Sequence, residues 1–207
     1  MVPKLYIVGI GPGSKDYLTQ AALNAVEMSD VVFGSKRALD LFENKIEKIE
    51  LDAKKMNKSF ENALLQVKDG KTVSILSTGD PGFSGILKPI LKLNNDIKIE
   101  VIPGVSSIQL CAAKLLIPWD EANIITMHGK GNSEDVLGII NNGKPSIILP
   151  DFNPAKLAEF LIKNGIDKGR KTAVCEKLSY KNEKVVEGSL EDIQGMEFSY
   201  MSVMVIY

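Results

Sequence analysis

Cysteine is scarce: Cys111 and Cys175 are the only two among 207 residues. Each sits in an apolar stretch, Leu110-Cys111-Ala112 and Val174-Cys175. Neither has a second cysteine or a histidine at metal-ligand spacing. A thiolate metal site and a disulfide framework are therefore excluded as organising devices, and two reduced, buried thiols with no metal are expected. Histidine and tryptophan occur once each, as His128 and Trp119. Net charge is nearly absent, with 25 Lys plus Arg against 26 Asp plus Glu. There is thus no global field to attract a nucleic-acid backbone, although a local basic pocket for an acidic substrate remains open. No run approaches the roughly 18 apolar residues that span a bilayer. Residues 1–10 lack a basic leader region and run straight into a strand pattern. No signal peptide, no membrane partner and a cytoplasmic location are expected.

What is present is enough apolar mass for a core, at 44% hydrophobic and 25% charged residues. Leu5-Tyr6-Ile7-Val8 is a short β-branched run that stops at Gly9, as a buried strand does. Residues 17–28 space Leu18, Ala21, Ala22, Ala25 and Val26 at helical intervals. A strand at 30–34 follows, then a short helix at 35–42 with Ser35 as N-cap candidate. Phe60, Ala63, Leu64 and Val67 mark another helix, followed by a strand at 72–76, a helix at 83–93 and a strand at 97–102. This alternation predicts an α/β domain on a mostly parallel sheet. A helix at 106–115 ends before Pro118, which disfavours helix at Ile117. The division into domains is placed there, at 1–115 and 116–207. The second half reads strand 123–127, helix 133–140, strand 146–149 and helix 154–163. Strands at 171–176, 183–187 and 200–207 close the chain. Strand after strand predicts a mixed sheet with antiparallel pairs.

Glycines mark the strand ends. Gly9-Ile10-Gly11-Pro12-Gly13 suggests a dinucleotide-binding loop, but that motif requires G-x-G-x-x-G and an acidic residue after the second strand. Ser14 occupies the third glycine position, Pro12 lacks an N–H, and the second strand ends in Phe33-Gly34-Ser35. A nicotinamide site loses two requirements, and a tight strand-to-helix turn is the competing reading. Thr78-Gly79-Asp80-Pro81-Gly82-Phe83 follows a buried strand, where open α/β sheets bind ligands. Asp80 can accept hydrogen bonds from a ligand amine or from loop N–H groups, or Asp80-Pro81-Gly82 is simply a turn.

Two further runs, Val101-Ile102-Pro103-Gly104-Val105-Ser106-Ser107 and Met127-His128-Gly129-Lys130, complete an ordered set of four. In that order the motifs resemble the tetrapyrrole methylase family over nearly the whole chain. Asp30-Val31-Val32-Phe33-Gly34-Ser35-Lys36-Arg37, and Ile117-Pro118-Trp119-Asp120 with Thr126-Met127-His128-Gly129-Lys130, are similar to the branch that methylates C5 of cobalt-precorrin-7. Lys130 stands where that branch leads one to expect arginine, which implies a single contact rather than a fork.

The resemblance implies two α/β domains with S-adenosylmethionine folded in the cleft between them, and S-adenosylhomocysteine as product. Carried over, the cofactor contacts are Ile10, Gly79, Asp80, Pro81, Phe83, Ser106 and Ser107, with Leu149 and Leu178 from the second half. Gly11, Pro12, Gly13, Lys36, Arg37, His128 and Lys130 are the implied tetrapyrrole contacts. Lys36, Arg37 and Lys130 would pair with its carboxylates; a solvated helix face is the alternative for Lys36 and Arg37. His128 is the catalytic candidate, against a structural hydrogen-bonding role. Trp119 could floor the pocket or serve a core or interface. No nucleophile–base–carboxylate triad is needed, because the sulfonium is already a strong electrophile. A homodimer is implied, as is a separate enzyme for C15 methylation and decarboxylation, since relatives that do both are longer fusions. Three rivals remain: a methylase of this fold with another acceptor (uroporphyrinogen III, another precorrin position or the modified histidine of a translation factor), a non-catalytic nucleotide-binding module, and a pure assembly protein.

Overall fold

Leu5–Gly9 forms the first strand (β1), and all five of its residues are buried. A strand buried on both faces needs helices above and below it, and the chain provides them. The computed structural model describes residues 3–43, 46–93, 96–128, 135–151 and 153–207. Two units divide it, Met1–Ser106 and Ser107–Tyr207.

In the first unit, β1 is joined by β2 (Val31–Gly34), β3 (Glu47–Glu50), β4 (Val73–Ser77) and β5 (Ile99–Ile102). The five pair in the order β3-β2-β4-β1-β5, every pairing parallel. Alternation sends Leu5 and Ile7 to one face and Tyr6 and Val8 to the other. Helices α1 (Gln20–Glu27) and α2 (Lys36–Leu39) cover the Tyr6 face through Ala22, Ala25, Val26, Ala38 and Leu39. Helices α3 (Met56–Lys68) and α4 (Leu87–Leu93) cover the Leu5 face through Phe60, Ala63, Leu64, Val67 and Ile90. The crossover after β1 therefore leaves on the face opposite to the crossover after β4, although β1 and β4 are neighbours. That is a topological switch point, where open α/β sheets bind ligands at the strands' carboxyl ends.

Several boundaries differ from the sequence reading for identifiable reasons. Helix α1 begins at Gln20, not near Tyr17, because Thr19 caps it by accepting from Ala22 N–H at 3.1 Å; Lys15–Tyr17 is a separate 3₁₀ turn. The helix expected from residue 83 begins at Leu87. Before it, Phe83 N–H is bonded to Asp80 O and Leu87 N–H to Pro81 O, with Ser84 at φ 56°. Strand β3 was not expected, since Glu47-Lys48-Ile49-Glu50 carries a single apolar side chain; it is a charged edge strand, which discourages further pairing.

The second unit orders its strands β6-β7-β10-β8-β9, from β6 (Asn123–Thr126), β7 (Ser146–Leu149), β8 (Lys171–Glu176), β9 (Lys184–Ser189) and β10 (Ser202–Ile206). β6 and β7 are parallel and the other pairings antiparallel, the mixed sheet expected. Helices α6 (Asp135–Ile140), α7 (Pro154–Lys163) and α8 (Leu190–Gln194) bury Val136, Leu157, Leu161, Leu190 and Ile193 against Ile148, Val174, Met204 and Ile206. Helix α5 (Ser107–Lys114) contacts β7 and β10. It belongs to this unit, so the division falls at the start of that helix rather than at its end, where Pro118 suggested it.

Candidate functional site

The loops after β1, β4 and β5 meet at the switch point. Gly79 N–H donates to Gly11 O at 2.8 Å, and Ile10 N–H to Ser77 O at 3.0 Å. A Cβ added to Gly9 would lie 2.5 Å from Gly104 N and 2.9 Å from Gly79 O. One added to Gly104 would fall 2.8 Å from Gly9 Cα and collide with Gly79 O. Three loops are thus packed backbone on backbone, which any side chain at these two positions would prevent. Gly79 differs: with φ at 69°, its missing Cβ would meet only Ser106 Cα, at 3.9 Å. Space is open in front of that backbone.

Asp80 braces the assembly. Its Oδ1 accepts from Gly82 N–H at 2.8 Å and its Oδ2 from Gly104 N–H at 3.1 Å. Of the two acceptor roles open to it, the one observed is to loop N–H groups; one carboxylate closes its own turn and ties the β4 loop to the β5 loop. Ile10, Gly11, Pro12 and Pro81 are buried, whereas Gly13, Phe83 and, after β5, Ser106 are half-buried. Ser35 caps α2 as expected, accepting from Ala38 N–H at 3.3 Å. That cap sets Lys36 and Arg37 in the first turn after β2, Lys36 exposed and Arg37 partly buried.

In the second unit, Ser107 opens α5 and Leu149 ends β7, both half-buried. His128 lies just beyond β6 and is exposed, its N–H 3.4 Å from Thr126 Oγ1. Gly129 and Lys130 lie outside the described residues. Leu178 follows β8, buried between Lys177 at φ 51° and Ser179 at φ 72°. Left-handed backbone at non-glycine residues costs about 1–3 kcal/mol each and persists only where neighbours hold it. Here Lys177 N–H is bonded to Met201 O at 2.9 Å, and Ser179 N–H to Glu183 Oε2 at 2.8 Å. Lys114, 2.5 Å from Glu183, holds that carboxyl below its ordinary value against the opposing effect of burial. Nothing in the sequence signalled Glu183 or Gly104 as braces, because the Lys114 ammonium that Glu183 meets and the Asp80 carboxylate that Gly104 N–H meets are both far away in the chain. Among the described residues no group of three His, Cys, Asp or Glu could hold a metal ion, and no helix is long and apolar enough to cross a membrane.

Comparison with known proteins matches the chain to a family. The sequence model for Tetrapyrrole (Corrin/Porphyrin) Methylases aligns with residues 4–194. A relative from Methanocaldococcus jannaschii, named a probable cobalt-precorrin-7 C(5)-methyltransferase, is 46% identical over 204 residues, covering 97% of this chain and 96% of its own. Among solved structures, the precorrin-6Y methylase of Archaeoglobus fulgidus superposes with a TM-score of 0.76 at 22% identity, covering 98% of this chain and 97% of that one. The uroporphyrin-III C-methyl transferase of Thermus thermophilus, solved with S-adenosyl homocysteine, gives 0.77 at 22% identity over 98% and 91%. The two structures speak for the fold alone; with the full-length sequence likeness, the chain belongs to the tetrapyrrole methylase family.

Proposed function

We propose that this chain transfers the methyl group of S-adenosylmethionine to C5 of a cobalt-precorrin in cobalamin biosynthesis, releasing S-adenosylhomocysteine. The observation that carries the reading is the 46% identity to a protein named for that reaction, sustained over 97% of the chain. The first unit's strand ends suit the donor. With only Ser106 Cα near the position of its missing Cβ, the backbone at Gly79 can be approached closely, as a ligand gripped through main-chain groups requires. Ile10, Gly79, Asp80, Pro81, Phe83 and Ser106 would hold it there, and Ser107, Leu149 and Leu178 are the second unit's own candidates.

When bound, the donor supplies a sulfonium methyl, a strong electrophile needing no activation by a side chain. The protein's task is then to align a nucleophilic ring carbon with that methyl and to exclude water, and alignment alone can supply much of the acceleration. Asp80 serves this by fixing two loops rather than by exchanging protons. Gly11, Pro12 and Gly13 would border the tetrapyrrole. Lys36, Arg37 and Lys130 would neutralise its carboxylates, and His128 is the candidate for proton handling. A cytoplasmic homodimer completes the reading, with C15 methylation and decarboxylation left to another enzyme.

The test is incubation with methyl-labelled S-adenosylmethionine and a panel of cobalt-precorrins and precorrins, followed by mapping of the labelled carbon. Label at C5 is the expected result. Label at another ring carbon would reassign the position, and no transfer to any tetrapyrrole would overturn the reading.

A further inference from the structure

Helix α5 and strand β8 meet through their sulfurs. Cys111 and Cys175 are free, fully buried thiols, with Cys111 Sγ donating to Cys175 Sγ at 3.3 Å. The register explains the meeting. Cys175 pairs with Val203 of β10, while the next residues along, Val174 and Met204, point into the α6–α8 core. Alternation therefore sends Cys175 to the opposite face of the sheet, and α5 brings Cys111 to it. The two residues are 64 apart in sequence, which is why neither spacing nor local context paired them. Methyl transfer makes no use of either thiol.

We infer that Cys111 and Cys175 form a reversible intramolecular disulfide that staples α5 to β8, with a peroxide as the two-electron oxidant. Cys175 is the attacking sulfur, because the hydrogen bond it accepts from Cys111 holds its thiol below the ordinary value against the effect of burial; the same bond and burial push Cys111 up. The Cys175 thiolate attacks one peroxide oxygen, the O–O bond breaks, and a sulfenic acid and water result. Cys111 sulfur then attacks the Cys175 sulfur, the S–S bond forms, and the sulfenic oxygen leaves as a second water. Two thiols lose two electrons and two protons, and one hydrogen peroxide becomes two waters. Bonding brings the sulfurs to about 2.05 Å, a short closure from their present separation. A dithiol reverses it by exchange. The link would act beside the Lys114–Glu183 ion pair, which already ties the end of α5 to the loop beyond β8.

The test treats the reduced full-length protein with a small excess of hydrogen peroxide, blocks remaining thiols under denaturing conditions and digests with trypsin. The expected product is a linked pair of peptides, residues 99–114 with residues 172–177, together with loss of both titratable thiols. Oxidation should also raise the unfolding temperature by several degrees, on the order of 5 °C, and dithiothreitol should return it. Cys111→Ser should show neither the linked peptides nor the reversible rise. Two thiols still titratable after oxidation, or links only between separate molecules, would overturn the inference.

Discussion

Gly79 donates its main-chain N–H to the carbonyl oxygen of Gly11 across 2.8 Å, bridging the loops that follow two neighbouring parallel strands. Parallel strands themselves end without any mutual turn, so loops at a switch point have no automatic reason to stay together. Here they are held by this bridge, by the contact of Gly9 with Gly104, and by the two hydrogen bonds to Asp80.

Gly104→Ala tests that packing. The new methyl would need space taken by Gly79 O and by Gly9 Cα, both main-chain atoms that cannot rotate away. Overpacking of this kind costs about 1–3 kcal/mol. The expected outcome is a lower unfolding temperature and at least a tenfold weaker S-adenosylmethionine affinity by calorimetry. Unchanged affinity would mean that the β5 loop plays no part in binding.

Asp80→Ala should weaken S-adenosylmethionine binding through loss of the brace, leaving Gly82 N–H and Gly104 N–H without their acceptor. Hydrogen bonds to charged groups contribute about 1.5–3 kcal/mol. Asp80→Asn retains one acceptor oxygen and should fall between wild type and alanine. Equal affinities for all three proteins, measured by calorimetry, would remove Asp80 from the site.

How much of this was legible in the sequence depends on distance along the chain. The buried strands declared themselves: Leu5-Tyr6-Ile7-Val8 is fully buried, as its uninterrupted apolar run implied, and so is Val73-Ser74-Ile75-Leu76, where the hydroxyl of Ser74 is bonded to that of Ser29. The cap at Ser35 was local chemistry and was read correctly. Helix α8 was missed although its signal is local too: Ser189 and Asp192 form a reciprocal capping box three residues apart. Strand β3 could not be read, because pairing with β2 makes it a strand and its own residues carry almost no apolar pattern. The glycine positions named strand ends, but not that Gly9, Gly79 and Gly104 touch one another. Contacts between residues far apart in sequence, Cys111 with Cys175 above all, follow from sheet order, and sheet order was never in the local pattern.

Arg37→Ala should raise the tetrapyrrole KM while leaving S-adenosylmethionine affinity intact. Arg37 stands in the first turn of α2, one residue after exposed Lys36, and follows β2 rather than the strands whose loops Gly11 and Gly79 bridge. Loss of one charge-assisted contact to a carboxylate corresponds to about a tenfold change at the low end of the usual range. Arg37→Lys should recover part of the loss, since charge persists and the planar fork does not. Steady-state kinetics with a cobalt-precorrin would decide it. An unchanged KM would return Arg37 to an ordinary solvated helix face.

The Glu183–Lys114 pair should make the second unit's stability depend on pH in one direction only. Lys114 holds the Glu183 carboxyl below its ordinary value, so the folded protein binds that proton less readily than the unfolded chain. The contribution is therefore complete above the unfolded value, near pH 4.5, and disappears as pH falls through the lower, folded value. Solvent screens the pair, because 20% of the Glu183 side chain and 42% of that of Lys114 are exposed. About 1 kcal/mol is the appropriate scale. Glu183→Gln should thus be less stable than wild type by about that amount at pH 7, with the gap narrowing in urea unfolding at pH 3, below the unfolded value, as the lowered folded value is approached. A gap of the same size at both pH values would show that shape, not charge, is what Glu183 contributes to the turn at Ser179.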